Sequence, residues 1–205
     1  MRWIRSNGLS IFFLLILVAA LIGQAISGVR VYNGEQLQHG GTAISQWEYV
    51  KGPIFWGHVM ENWESEFLQF TLFIGATVLL VQRGSAESKE PQNAGRAPHR
   101  PGFRGWLYGN SLVLSMTAIF LATWAAQSLG NLREFNSQEL EHGGEATTWL
   151  EYIASPDFWE RTFQNWQSEF LAVGTMVVFS IYLRQAGSPE SKRLDTPHSE
   201  NTPTY

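Results

Sequence analysis

The apolar residues of this 205-residue chain are concentrated in four blocks, with polar stretches between them. A helix crosses the roughly 30 Å hydrocarbon layer of a membrane with about 20 apolar residues, and about 17 is the lower limit. The first block is long enough alone, whereas the second and the fourth need flanking residues. The pattern therefore predicts four membrane-spanning helices, built on Leu9–Ile26, Phe67–Val81, Leu112–Ala126 and Phe170–Leu183.

The first block has a second interpretation. Arg2 and Arg5, followed by the apolar run Ile11–Ile22, also fit a cleaved secretory signal peptide. The sequence repeats this segment in the middle of the chain, at Trp106–Gln127, where no signal peptide can stand. The first block is therefore predicted to be retained as a membrane span, like its counterpart.

A tandem repeat organises the chain. Shifting the sequence by 103 residues aligns Trp3 with Trp106 and Lys89 with Lys192 without a gap. Such internal repetition indicates a duplicated structural unit. The shared motifs are His-Gly-Gly at 39–41 and 142–144, Phe-Trp at 55–56 and 158–159, Asn-Trp-x-Ser-Glu-Phe-Leu at 62–68 and 165–171, and Gly-Ser-x-Glu-Ser-Lys at 84–89 and 187–192.

Each copy is predicted to form a helical hairpin. A first long helix ends before the Gly-Gly pair, since glycine supplies the left-handed residue that closes a helix; a frayed loop after Gly28 is the alternative. A short amphipathic helix follows, and a second long helix begins at Pro53 or Pro156, because proline suits the first helical position. Repeat 1 is predicted at 1–89, with transmembrane helices at about 9–39 and 53–82. Repeat 2 is predicted at 105–192, with helices at about 108–142 and 156–185. A flexible cytoplasmic linker at 90–104 joins the repeats, and a disordered cytoplasmic tail follows at 193–205.

Two spans per copy return the chain to the same side, so the predicted fold is all-α: a four-helix transmembrane bundle of two tandem parallel hairpins. Ten of the 14 basic residues lie at the N-terminus, in the middle loop or in the tail, while 13 of the 18 acidic residues lie in the two other loops. The positive-inside rule then places both termini in the cytoplasm and an acidic, helical head outside. Topology and anionic lipid explain the basic stretch, and no nucleic-acid partner is predicted.

Ionisable residues inside the hydrocarbon are costly and are candidates for function. Glu66 and Glu169 are predicted to lie just inside the outer boundary, because helix of about 25 and 22 Å separates them from the arginines that mark the inner boundary. The amides of Gln24 and Gln127 lie at a similar predicted depth, and with the two carboxyls they form a predicted ring near the outer mouth of the bundle. Such a ring either hydrogen-bonds the helices together or binds a ligand, proton or cation. The candidates are Glu66, Glu169, Gln24, Gln127, Asn62 and Asn165.

His39 and His142 each precede the Gly-Gly pair, with several glutamates nearby in sequence. Histidine and carboxylate together are ligands for a divalent metal, but the spacing matches no metal motif. The expected role of both imidazoles is to bond the last carbonyls of the helix. The pairs Glu48-Tyr49 and Glu151-Tyr152 are expected to dock the short helix, with ligand contact as the alternative.

The repeated His-Gly-Gly, Phe-Trp, Asn-Trp-x-Ser-Glu-Phe-Leu and Gly-Ser-x-Glu-Ser-Lys motifs, together with Gln24, resemble those of a family of bacterial multi-pass membrane proteins classified as a domain of unknown function. The resemblance covers nearly the whole chain. It implies a bacterial plasma-membrane setting, and it implies no activity, cofactor or partner.

Three functions are consistent with these residues. The first is a non-enzymatic envelope protein, without a cofactor, that binds a partner, lipid or small ligand through its acidic outer head. The second is a small carrier or a proton- or cation-coupled permease that uses Glu66 and Glu169. The third, for which the residues offer least, is a metal- or quinone-dependent membrane enzyme. The expected partners are the lipid bilayer and either a second copy of the chain or another membrane protein.

Overall fold

The computed structural model describes residues 2–93, 95 and 101–201. Within these ranges the regular structure is entirely helical, which confirms the predicted all-α class. Eight α-helices follow one another, with a single 3-10 turn at Pro91–Asn93 after the fourth. They are α1 (Arg2–Ser6), α2 (Gly8–Gln38), α3 (Gln46–Lys51), α4 (Pro53–Leu79), α5 (Gly102–Gly109), α6 (Ser111–Glu141), α7 (Trp149–Ile153) and α8 (Pro156–Tyr182).

The first long helix of each repeat runs without a break through the glycines near its middle and ends close to the predicted residue. Gly40 and Gly143, at φ +78° and +79°, provide the left-handed turn that follows. At the other end, Asn7 and Asn110 interrupt both helices, because each side-chain amide bonds the carbonyl four residues earlier at 2.8 Å. The sequence did not indicate this break between α1 and α2 or between α5 and α6.

The second long helices end earlier than predicted. The chain leaves α4 at Leu80 and α8 at Leu183, and both residues are extended. The Gly-Ser-x-Glu-Ser-Lys motif then closes the exit, since the hydroxyl of Ser88 accepts a bond from the backbone N–H of Gln82 at 2.8 Å. Ser191 bonds Gln185 identically in repeat 2. The motif is therefore a repeated helix-exit loop.

The loop between the long helices has the same structure in both repeats. Capping boxes begin the short helices, with Ser45 and Glu48 at α3 and Thr148 and Glu151 at α7. The Asn33 side chain clamps the loop by accepting from the N–H of Ile44 at 2.8 Å and donating to its carbonyl at 2.9 Å. Asn136 binds Thr147 identically.

Packing between the repeats is asymmetric. α4 packs along α6, and the backbones meet at Gly57 and Gly130, where a Cβ added to Gly130 would lie 2.7 Å from the Cα of Gly57. The equivalent helices, α8 and α2, make almost no contact over the described residues. The positions that match the two glycines are Glu160 and Ser27, whose side chains do not permit so close an approach.

Two helices in the described ranges, α2 and α6, are long and apolar enough to cross a membrane by length and composition. α4 and α8 are not among them, because their first halves carry several charges. The apolar ends of all four long helices are largely exposed. A four-span bundle therefore remains a prediction.

The tail differs from the predicted disorder as far as residue 201. The ammonium of Lys192 is buried and donates to the carbonyls of Pro197, His198 and Glu200 at 3.1, 3.3 and 2.9 Å. The Asn201 side chain binds the backbone of the exit loop of α4. Polar composition suggested disorder, but these side chains supply partners for the backbone of two loops. Residues 94 and 96–100 of the predicted linker, and residues 202–205, lie outside the described part.

Candidate functional site

A cleft of about 620 Å³ lies between the C-terminal halves of α2 and α6, with α4 behind it. It is half-open to the surroundings, and its volume is in the range of small-molecule sites. Polar side chains dominate the lining, and no lysine or arginine is among them. The cleft is lined by Gln24, Ser27, Gly28, Val31, Tyr32, Glu35, Gln36, His39, Tyr49, Ile54, His58, Glu134, Ser137, Gln138, Glu141 and His142.

Two histidines stand at the mouth of the cleft. The rings of His39 and His142 lie 6.4 Å apart, centroid to centroid, at the ends of α2 and α6. Each Nδ1 donates to a helix carbonyl, that of Glu35 at 2.9 Å and that of Gln138 at 2.7 Å. The expected role of both imidazoles in bonding the last turn of the helix is confirmed. Because carbonyls only accept, each neutral ring keeps its Nε2 lone pair free of this bond.

The deep side of the cleft holds a charged group that joins three helices. Glu134 on α6 is 3.4 Å from His58 Nε2 on α4 and 3.4 Å from Arg161 Nη1 on α8. These residues lie outside the four apolar blocks. The hydrogen bond to Glu134 raises the pKa of His58, and the same bond lowers the pKa of Glu134. The carboxylate of Glu134 therefore has Arg161 as a cationic partner, and His58 as a second one when the imidazole is protonated.

Tyr49 forms part of the cleft wall, and its hydroxyl differs in hydrogen bonding from that of its counterpart in repeat 2. Its side chain is only 5% exposed, and its hydroxyl lies against Gly28. The counterpart in repeat 2, Tyr152, donates to Asp157 at 3.2 Å. Repeat 1 has Ile54 at the position of that aspartate, so the Tyr49 hydroxyl has no hydrogen-bond partner within the described ranges. Burial, followed by the charges of Glu134 and Glu35, raises the pKa of Tyr49.

A second polar group is buried where α4, α6 and α8 meet. Glu64 is fully buried, and its carboxylate accepts from the indole N–H of Trp166 at 3.0 and 3.3 Å. Glu61 accepts from the amides of Asn131 and Asn165 at 3.1 and 3.2 Å. These bonds hold the two repeats together and leave both carboxylates inaccessible or half-buried.

The residues predicted from the sequence fall in different surroundings. Gln24 lines the cleft, whereas Gln127 is 1% exposed on the face of α6 that meets α4, and its Oε1 has no partner among the described residues. Glu66 and Glu169 lie close enough for their charges to interact, with Glu66 exposed. The predicted ring is thus divided between the cleft, the helix interface and the outer surface of α4 and α8.

Asn62 and Asn165, which are identical by repeat, have different contacts. The Asn62 amide donates to the carbonyl of His58 on its own helix at 3.0 Å. Asn165 instead reaches Glu61 across the interface. Across the described part of the chain, no group of three or more His, Cys, Asp or Glu residues is placed to hold a metal ion, and His39 and His142 form only a pair.

Sequence reasoning did not single out the side chains that distinguish the repeats. Glu35 and His58 line the cleft, while Glu61 and Glu64 form the buried group. All four have a different residue at the matched position, whereas the sequence candidates were positions identical in the two copies. The sequence signal that could have found these residues is a charge present in only one copy. Glu61 and Glu64, for example, are glutamate in repeat 1 and glutamine in repeat 2.

Comparison with known proteins gives a single finding. A family model described as a domain of unknown function (DUF6766) matches residues 1–203. No curated protein and no solved structure matches the chain.

Proposed function

Since the chain belongs to the DUF6766 family, whose function is unknown, we propose from its own residues that it is a non-enzymatic protein of the bacterial plasma membrane whose outer head binds a small ligand. The outer head is defined as residues 27–66 and 130–169. The proposal includes four membrane spans with both termini in the cytoplasm. The cleft between α2 and α6 is the observation that carries it.

The packing of α4 supports four spans. α4 packs along α6, so if α6 crosses the membrane and α4 runs back in the opposite direction, the apolar end of α4 lies at the depth of the apolar block of α6. Large side chains on the inner halves of α4 and α8 are exposed, including Leu72 at 50% and Leu171 at 71%. An apolar surface of this extent is unfavourable in water and suits lipid.

The charge distribution supports the orientation. The cleft lies in the segments that carry 13 of the 18 acidic residues, while the N-terminus, the middle loop and the tail carry ten of the 14 basic ones. A ligand would therefore enter from outside the cell or from the outer leaflet of the membrane.

The function is tested by filling the cleft. Ser137 lines the cleft and is exposed, so Ser137→Trp would occupy the cavity without disturbing the core. Gln38→Trp adds the same side chain at an exposed position of α2 that is outside the cleft. Purified protein is screened by thermal shift against metabolites and lipids of all charge classes. We expect a compound that stabilises the wild type and Gln38→Trp but not Ser137→Trp.

The proposal is wrong if every compound that stabilises the wild type stabilises Ser137→Trp equally, or if none stabilises the wild type. Circular dichroism of both tryptophan variants establishes that each is folded before the screen.

A carrier is the second candidate, favoured by the proximity of Glu66 and Glu169 on α4 and α8. Two interacting carboxylates near a membrane boundary are suited to binding a proton or cation. The double variant Glu66→Gln/Glu169→Gln should then abolish cation or proton uptake into proteoliposomes while leaving the unfolding temperature nearly unchanged. If proteoliposomes that contain the wild-type protein take up no more cation or proton than protein-free liposomes, this function is ruled out.

A further inference from the structure

The chemistry of the cleft identifies the class of ligand, and this inference rests on the proposed function of the outer head. We propose that the cleft binds the ammonium group of an organic amine, held between the carboxylate of Glu35 and the hydroxyl of Tyr49. The ammonium group can belong to a free amine or to the amino headgroup of a lipid, because the recognised chemistry is the same.

Charge is the first argument. Three carboxylates line the cleft, and among them Glu134 has Arg161 as an ion-pair partner, with His58 as a second when protonated. Glu35 and Glu141 form no ion pair in the part of the chain that the structure describes. The lining therefore carries uncompensated negative charge on both of its long walls, which favours a cation and disfavours an anionic ligand.

The unpartnered hydroxyl of Tyr49 is the second argument. Tyr49 is 5% exposed as a whole residue, but its hydroxyl is not among the fully buried polar atoms that lack a partner, so the oxygen is accessible from the cleft. Tyr152 is fully buried and donates to Asp157 instead. Tyr49 lines the same cleft as Glu35 and Glu134. Its oxygen can accept one N–H of an ammonium group, while a carboxylate accepts another.

Aromatic surface is the third argument. Tyr32 and Tyr49 both line the cleft, and their ring centroids are 5.9 Å apart. A cation over an aromatic face gains about 0.5–2 kcal/mol, more as water is excluded. The volume of about 620 Å³ is far larger than a metal ion needs, and it accommodates an amine with an organic body.

The experiment compares three ligands of one shape: phenethylamine, 2-phenylethanol and phenylacetate. Binding to the full-length protein in detergent is measured by calorimetry at pH 7. We expect phenethylamine to bind at least tenfold more tightly than the alcohol and phenylacetate not to bind. Glu35→Gln and Tyr49→Phe should each weaken amine binding about tenfold.

Matched controls come from side chains that do not line the cleft. Glu139→Gln removes a carboxylate of α6, and Tyr152→Phe removes the partnered hydroxyl of repeat 2. Both should leave the dissociation constant within twofold of the wild type. Because Glu35 is exposed, Glu35→Gln tests the proposal even if Tyr49→Phe is poorly folded.

Lipid as the source is tested in the same system. Nanodiscs containing phosphatidylethanolamine should compete with phenethylamine if the natural group is a headgroup, and nanodiscs of phosphatidylglycerol alone should not. Absence of competition assigns the site to free amines. Equal binding of the amine and the alcohol, or unchanged amine binding by Glu35→Gln, overturns the inference. If other compounds bind in a manner sensitive to Ser137→Trp, the proposed function still stands.

Discussion

The two repeats have the same loop and helix-end hydrogen bonds, but they differ in helix packing and in the side chains that line the cleft. Each has the same asparagine clamp, capping box and exit loop, made by residues that are identical or similar in the two copies. The close helix contact and part of the cleft are formed by residues without such matches: Ile54 against Asp157, Gly57 against Glu160, and His58 against Arg161. Identity between the copies marks the framework, whereas the candidate site combines matched residues, such as Tyr49, with unmatched ones.

The largest expected effect comes from the close contact of α4 and α6. Gly130→Ala places a Cβ against the backbone at Gly57, so one helix must move, and we expect the free energy of unfolding to fall by about 3 kcal/mol. Gly34→Ala is the matched control, since a Cβ there meets nothing within 4 Å. It should raise stability by about 0.5–1 kcal/mol because alanine favours the helix. Denaturant unfolding in detergent measures both, and equal effects would contradict the asymmetry.

A smaller effect is expected at the buried carboxylate. Trp166→Phe removes the indole N–H that Glu64 accepts and leaves a buried group without its donor, which should cost about 1–2 kcal/mol. The matched tryptophan of repeat 1, Trp63, donates to no carboxylate in the described ranges. Trp63→Phe should therefore cost less in the same unfolding assay. A larger loss for Trp63→Phe would show that the hydrogen bond to Glu64 contributes little.

The smallest effect is a dependence of stability on pH. The folded protein raises the pKa of His58 above its ordinary 6.5, so the stabilisation from its protonated form is complete below about pH 6.5 and is lost as the pH rises through the raised value. Melting temperatures from pH 6 to 9 should decline through this window. His58→Asn should have a flatter profile. A profile that is unchanged by the substitution would show that another group titrates.

The sequence predicted the start of α4 and the end of α2 because these depend on local chemistry: Pro53 starts α4, and His39 bonds the last turn of α2. It could not predict how far apart the helices lie. That distance depends on Gly57 meeting Gly130 across the repeats, a contact between residues distant in sequence. The symmetric ring around Glu66 assumed equal packing of both repeats, whereas α4 and α6 pack closely and α2 and α8 do not.

The same reason explains which candidate residues were found. Gln24 and the mouth histidines were identified because both copies contain them. Glu35 is one of the glutamates near His39 in sequence, but its position in the cleft, opposite α6, follows from tertiary packing. The unpartnered state of Tyr49 is visible only by comparison with the bond from Tyr152 to Asp157.

The central claim, a cleft that faces outward from a four-span membrane protein, is tested most directly by labelling single cysteines. The chain contains no cysteine, so Ser137→Cys and Gln92→Cys each introduce the sole thiol. A membrane-impermeant maleimide is applied to intact cells and then to permeabilised cells. The account predicts that Ser137→Cys is labelled in intact cells and Gln92→Cys only after permeabilisation. Labelling of both positions in the same compartment, or the reverse order, would contradict it.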